Sequence, residues 1–181
     1  MKRIIAILIP VHNGIDFTRK CLNNLKHILR EASGAFAYTT IVIDDGSADS
    51  TAQWIGDHHP DVTVLQGDGN LWWSGAVNTG AKYALENLGA DYVLLWNNDI
   101  EIPPDYFSVL EEAAGNADTD TLIGSKIFCD PGFTRVWSAG GVFNGQTGDY
   151  YMTGYFMDDR PEWQEVRLDI DPAAAPTSSP R

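Results

Sequence analysis

Three short polar clusters interrupt the apolar runs of this chain: Pro10-Val11-His12-Asn13-Gly14, Asp44-Asp45-Gly46-Ser47 and Asn97-Asn98-Asp99. Asp99, preceded by two neutral amides, is suited to bind Mg²⁺ or Mn²⁺, which keep several waters and reach substrate phosphates through only one or two protein carboxylates. Asp44 and Asp45 are adjacent, so strand geometry points them apart: one faces a crevice and the other braces a loop. Gly46 permits a sharp turn there, and Ser47 or Asp49 can cap a following helix. Each cluster taken alone also reads as a plain turn, because Asn and Asp bond to their own backbone.

A fourth stretch, Asn70-Leu71-Trp72-Trp73-Ser74-Gly75, precedes a helix whose first turns carry Asn78, Thr79 and Gly80. Two adjacent tryptophans in a loop are costly to expose, so at least one packs on the core or on a ligand. Core packing accounts for Trp72 and Trp73 but not for the accompanying Asn70 and Asn78. Gly75 and Gly80 leave room for another group to approach the helix. His12 reads either as a contact to a base or phosphate or as an ordinary loop histidine. His27, His58 and His59 have no zinc-site spacing. Cys21 and Cys129 lack metal-ligand spacing as well and read as buried thiols in a reducing compartment. The chain has no Gly-x-Gly-x-x-Gly after its first strand, no Walker loop and no Gly-x-Ser-x-Gly elbow.

The elements that must position these clusters alternate. Residues 4–9 form a continuous aliphatic run, too short for a helix and without the alternation of a half-wet strand, as expected of a strand covered on both faces. A helix over residues 17–30 follows, capped by Asp16, with Phe17, Cys21, Leu25 and Ile28 along one side and Ser33-Gly34 as its stop. Strands are expected at 39–43, 62–65 and 92–96. Helices are expected around Trp54 and Ile55, over 75–88 ended by Gly89, and from Pro104 to about Ala114, closed by Gly115. Such alternation implies an α/β fold with parallel strands joined by crossover helices, and ligands then bind beyond the carboxyl ends of the strands. All the polar strand-end clusters fall on that one edge. After residue 120 the pattern changes to short extended pieces: 122–128, a turn at Asp130-Pro131-Gly132, 135–143 broken by Gly140-Gly141, and an aromatic segment over 150–157.

With 181 residues and 44% apolar content, the chain can build one globular unit around a real core. Twenty-five acidic against twelve basic residues give a formal charge of -13, which argues against nucleic acid or an anionic membrane surface as partner. An anionic ligand would need amide groups, a helix end or a divalent cation. The opening Met1-Lys2-Arg3 and its apolar run end too early, at Pro10, for a signal peptide, and nothing reaches the length of a membrane span.

In their order and spacing, residues 7–14, 42–51, 70–80 and 95–99 resemble the family 2 glycosyltransferases, most closely the branch with rhamnosyltransferase-like enzymes of bacterial surface polysaccharides. The resemblance covers residues 4–115 and implies a GT-A fold, a Rossmann-like, mostly parallel central sheet with helices on both faces. It also implies a nucleotide-diphosphate sugar donor, inversion at the anomeric carbon, and a saccharide or lipid-linked acceptor. Pro10, His12, Asn13, Asp44, Asp45, Asn70, Trp73, Asn78 and Asn98 would then meet the donor. Asp99 would hold Mg²⁺ or Mn²⁺ and serve catalysis, with Asn97 standing where the family carries a first carboxylate. For the base, Asp158-Asp159 is a candidate, with Asp159 as its member of choice, although the helical context of the family's acidic pair is missing and a base beyond residue 181 is the favoured expectation. The resulting organisation is a nucleotide-sugar-binding half (1–115), an incomplete acceptor-side region (116–171) and a disordered tail (172–181). This is expected of the amino-terminal part of a longer enzyme that binds donor but transfers sugar poorly. A cytoplasmic location follows, with contact at the inner membrane face through a lipid-linked acceptor. The rival readings are a non-catalytic binding or structural module with the same fold and a nucleotidyltransferase. The latter is disfavoured because residues 10–14 contain no Lys or Arg.

Overall fold

The computed structural model describes residues 2–32, 34–117, 121–144 and 146–163, in two units, Met1–Ala117 and Asp118–Arg181. The expected tail at 172–181 lies outside the described residues. In the first unit, strands β1 (Arg3–Val11), β2 (Phe36–Asp44), β3 (Thr63–Gln66) and β4 (Tyr92–Leu95) form one parallel sheet in the order β3-β2-β1-β4. Helices α1 (Ile15–Glu31), α2 (Thr51–His58) and α3 (Trp72–Leu88) connect them, and α4 (Tyr106–Gly115) follows β4. This is the mixed α/β fold with a parallel central sheet that the alternation predicted.

The period-2 geometry of β1 explains why its apolar run is unbroken. Ile7, Ile9 and Val11 point to one face with Val42, where Cys21, Leu22 and Leu25 of α1, Ile55 of α2 and Phe107 of α4 meet them. Ala6 and Leu8 point to the other with Ile41 and Ile43, against Ala76 and Ala84 of α3. Helices therefore cover both faces, and each fully buried aliphatic chain contributes about 1.5–3 kcal/mol. The chain runs outward from β1 to β2 and β3, then returns through α3 to β4 on the far side of β1. The reversal puts a topological switch point between β1 and β4, where α/β sheets open a crevice at their carboxyl ends.

Several boundaries differ from the sequence expectation. Helix α1 begins at Ile15, so Asp16 lies inside its first turn and gives no cap; Gly14 in left-handed conformation precedes the helix. Its buried face is Thr18, Cys21, Leu22 and Leu25, while Phe17 stands 60% exposed. Helix α3 begins at Trp72, so both tryptophans belong to its first turn and not to a loop; Gly89 ends it as expected, at φ +60°. Gly80 does not clear space for a ligand: a Cβ there would lie 2.7 Å from Ile43 Cδ1, so the glycine lets α3 lie close against the sheet. Pro104 falls in a turn before α4, and Gly115 is the last residue of that helix, with Asn116 beyond it.

The second unit is built from short antiparallel strands. β5 (Ile127–Phe128), β6 (Arg135–Ser138) and β9 (Met157–Asp158) form one sheet in the order β5-β6-β9, and β7 (Gly141–Phe143) pairs with β8 (Tyr150–Met152). Only the last two residues of the expected strand at 122–128 pair. The break at Gly140-Gly141 separates β6 from β7, as the sequence indicated. The β5–β6 turn is organised by Asp130, whose carboxylate accepts the backbone N–H of Gly132, Thr134 and Arg135.

Candidate active site

Two loops at the carboxyl edge are stapled to one another. After β1, Asn13 takes φ +59°, a conformation that asparagine tolerates better than most residues. Its N–H donates to Ser47 Oγ at 2.7 Å, and its Oδ1 accepts the N–H of Ala48 at 2.9 Å. Ile15, at the start of α1, donates its N–H to Asp49 Oδ2 at 2.8 Å, so the helix is capped from the neighbouring loop. The other Asp49 oxygen accepts the Thr51 hydroxyl at 2.6 Å. That hydroxyl bond, with the N–H groups of Ile15 and Thr51, holds the Asp49 carboxyl below its ordinary range in spite of partial burial.

The adjacent pair Asp44-Asp45 is turned inward. Asp44 is 1% and Asp45 6% exposed. Asp44 Oδ1 accepts the N–H of Ser47 at 2.9 Å, which closes the turn. Asp45 Oδ1 accepts the N–H of Gly69 at 2.8 Å, and Oδ2 that of Trp72 at 3.0 Å. His12 Nδ1 donates to the Asp45 carbonyl at 2.6 Å. Burial pushes the Asp45 carboxyl up, but the N–H groups of Trp72, Leu71 and Gly69, helped by His12, outweigh it and lower it overall. Gly67 is required here, because a Cβ would sit 2.5 Å from Asp45 Oδ1. Asp45 thus organises the segment from Gly67 to the start of α3.

The Asn97-Asn98-Asp99 loop is fastened at nearly every residue but one. At its root Trp96 is 5% exposed, stacked on Phe107 with ring centroids 6.0 Å apart, and its backbone N–H donates to Leu8 O at 2.9 Å. Asn97 Oδ1 accepts the indole N–H of Trp73 at 3.3 Å, and Asn98 Nδ2 donates to Thr18 Oγ1 at 3.1 Å. Glu101 is ion-paired with Lys20 of α1, which holds its carboxyl below the ordinary range. Asp99 itself is exposed and takes no hydrogen bond among the described residues. A cavity of about 260 Å³ beside the loop is lined by Cys21, Trp96, Ile100 and Ile102. Burial pushes the Cys21 thiol up to about 11, so it presents a neutral thiol to that space.

Of the residues expected to form the site, His12, Asn13, Asp44 and Asp45 share one set of contacts, while Trp73 and Asn98 hold the Asp99 loop. Pro10 is half-buried near the end of β1, in register with Ile43. Asn70 forms a local turn with Asp68, and Asn78 is exposed on α3. Asp159 lies in the second unit, where Lys126 Nζ donates to both its oxygens at 2.8 and 2.7 Å and lowers its pKa. Among the described residues no three His, Cys, Asp or Glu side chains gather as a metal cluster. A lone exposed carboxylate such as Asp99 could hold Mg²⁺ or Mn²⁺ only together with waters and ligand oxygens, as these cations bind with phosphates. Thr18 was not evident from the sequence; its one signal is its place on the apolar stripe of α1.

The profile of glycosyl transferase family 2 matches residues 6–175. This chain belongs to that family. It is 31% identical over 83 residues to the low-salt glycan biosynthesis hexosyltransferase Agl10 of Haloferax volcanii, an alignment that takes in 46% of this chain and 26% of that protein. The match thus spans about a quarter of that curated relative's length. Among solved structures, the family 2 chain is similar to the mannosyltransferase PcManGT from Pyrobaculum calidifontis in complex with GDP-Man and Mn²⁺, at 19% identity and a TM-score of 0.44 over 58% of this chain and 30% of that one. It is also similar to S. aureus TarS 1-349, at 20% identity and a TM-score of 0.45 over 72% and 40%. No helix among the described residues is long and apolar enough to cross a membrane.

Proposed function

We propose that this family 2 domain binds a nucleotide-diphosphate sugar at the carboxyl edge of its sheet and serves transfer of the sugar, with inversion, to a saccharide or lipid-linked acceptor. The observation that carries this reading is Asp99: at the switch point between β1 and β4 it is the polar side chain left free by a loop whose other polar members are tied down. Mg²⁺ or Mn²⁺ held there would stabilise the charge that grows on the departing diphosphate. In this reading Pro10, His12 and Asn13 line the nucleotide pocket, with the His12 ring oriented by the hydrogen bond from its Nδ1 to the Asp45 carbonyl. Asp44 and Asp45 act by shaping the loops around that pocket. Synthesis of surface polysaccharide at the cytoplasmic side, and a 6-deoxy sugar as in rhamnosyltransferase-like relatives, belong to the same proposal.

The acceptor hydroxyl needs a base. Asp159 fills that role only if Lys126 releases it, since a carboxylate held in an ion pair is a weaker proton acceptor. That pairing favours a second reading, in which the chain binds a nucleotide sugar without transferring it efficiently.

The test is calorimetric titration with UDP, GDP and dTDP compounds, in Mn²⁺ and again in EDTA, on the wild type and Asp99→Ala. Metal-dependent binding of one nucleotide, abolished in the variant, is the expected outcome. Failure of every nucleotide to bind overturns the proposal.

A further inference from the structure

We infer that Thr18 of α1 and Trp73 of α3 are positioning residues that hold the Asn97–Asp99 loop from opposite faces of the sheet, so that Asp99 is fixed for a divalent cation. This rests on the reading of Asp99 as the metal ligand and goes beyond it by naming what makes Asp99 competent. The two amides before Asp99 make contacts inside the protein. Asn98 donates to Thr18 Oγ1 at 3.1 Å, and Asn97 accepts from the Trp73 indole at 3.3 Å. The helices they reach lie on different faces: α1 packs with Ile7, Ile9 and Val42, and α3 with Leu8, Ile41 and Ile43. The loop is thus pulled both ways across the sheet edge. Trp96 fixes its start in the core, while at its far end Glu101 makes an exposed ion pair with Lys20 of α1 that adds little hold.

The two anchors differ in kind. Thr18 is fully buried, and a β-branched residue in a helix keeps few backbone-set positions for its hydroxyl, so it is a rigid acceptor. Trp73 is half exposed, so its hydrogen bond competes with water and holds more loosely. A single-carboxylate cation site is sensitive to such support, because it has no second protein ligand to restore the geometry. Thr18 and Trp73 act on Asp99 through Asn98 and Asn97, so each contributes to the cation at most what its own hydrogen bond contributes to holding the loop.

The experiment measures Mn²⁺ binding by the electron paramagnetic resonance of free Mn²⁺, in the presence of UDP, GDP or dTDP in turn. The proteins are the wild type, Thr18→Val, Thr18→Ser, Trp73→Phe and Asp99→Ala. Melting temperature is recorded for each. Thr18→Val is expected to weaken Mn²⁺ about tenfold, with Thr18→Ser restoring it and Trp73→Phe weakening it about threefold, the range that one lost hydrogen bond covers. Trp73→Phe changes a surface group and keeps the inference testable if Thr18→Val does not fold. Wild-type affinity in Trp73→Phe and in a folded Thr18→Val, with Asp99→Ala unable to bind, overturns the positioning role alone. Absence of Mn²⁺ binding by the wild type, or undiminished binding by Asp99→Ala, overturns the assignment of Asp99 and this inference with it.

Discussion

Asp45 carries more of the local architecture than its place in an acidic pair suggests. Both its oxygens accept backbone N–H groups, from Gly69 and Trp72, and the second of these fixes the entry to α3. Asp45→Asn preserves shape but turns one acceptor into a donor that faces an N–H. The variant should melt at a lower temperature, and the amides of Gly69 and Trp72 should exchange hydrogen faster. Asp57→Asn, on the exposed side of α2, should do neither. The pH dependence has a definite sign. Because the folded pKa of Asp45 is lowered, its contribution is complete above the ordinary carboxylate range and fades as pH falls through the lowered value. The gap between wild type and variant should therefore be widest near neutrality and close in acid; equal melting temperatures at pH 7 would contradict the role given to Asp45. At this scale the sequence marked His12, Asn13, Asp44 and Asp45, which the structure brings into one set of contacts, but not what each one touches. The Asp44-Asp45 pair was visible, and so was the expectation that one of them braces a loop. Its partners lie 24 and 27 residues away, and nothing in local spacing points to them. Thr18 escaped notice for the same reason, since its partner Asn98 is 80 residues distant.

Elements were legible where one physical cause dominates. The aliphatic run of β1 and the β-branched run of β2 are long, uninterrupted and covered on both faces, so no helix period competes with them. Starts of helices were less legible. α1 takes its cap from Asp49 in another loop, and α3 begins at Trp72 because Asp45 holds that N–H, so neither start is encoded next to itself. In the second unit the strands are two to four residues long, too short for any period to register. Two helical glycines separate packing from propensity. Gly80 faces Ile43 and Leu8, both fully buried, and a Cβ would meet their side chains at 2.7 and 3.2 Å. Overpacking of this kind costs about 1–3 kcal/mol, against a gain in helix propensity of about 1 kcal/mol. Gly80→Ala should thus destabilise or at best break even. At Gly56, in α2, nothing lies within 4 Å of the place a Cβ would take and the backbone is not left-handed, so Gly56→Ala should stabilise by about 0.5–1 kcal/mol. Urea unfolding distinguishes the two; a stabilising Gly80→Ala would mean that α3 does not rest on the sheet as closely as described.

For the whole molecule, charge and specific contacts pull stability in opposite directions as pH changes. A formal charge of -13 makes the folded chain repel itself near neutrality, and acid or salt relieves that repulsion. Opposing this, Asp45, Asp49, Glu101, Asp130 and Asp159 all have lowered pKa values, so each loses its contribution as pH falls through its folded value. His59 acts in the same direction but earlier. It is 3% exposed, and its pKa is lowered chiefly by burial, then by Lys26 and His58, against Asp61. Because the unfolded chain takes up the proton first, its share of stability is present above the ordinary histidine range and is lost below it. Between pH 7.5 and about 5.5 the carboxylates with lowered pKa values remain ionised, so relief of repulsion and the His59 penalty are the competing changes in that window. Added salt suppresses the first and leaves the buried histidine largely unscreened. Urea unfolding in about 0.5 M salt should therefore show stability falling from pH 7.5 to 5.5, and His59→Phe, which replaces the ring with an apolar one, should flatten that fall. An unchanged slope in the variant would place the proton uptake elsewhere. At low salt the same fall should be shallower in the wild type, because repulsion is then being relieved at the same time.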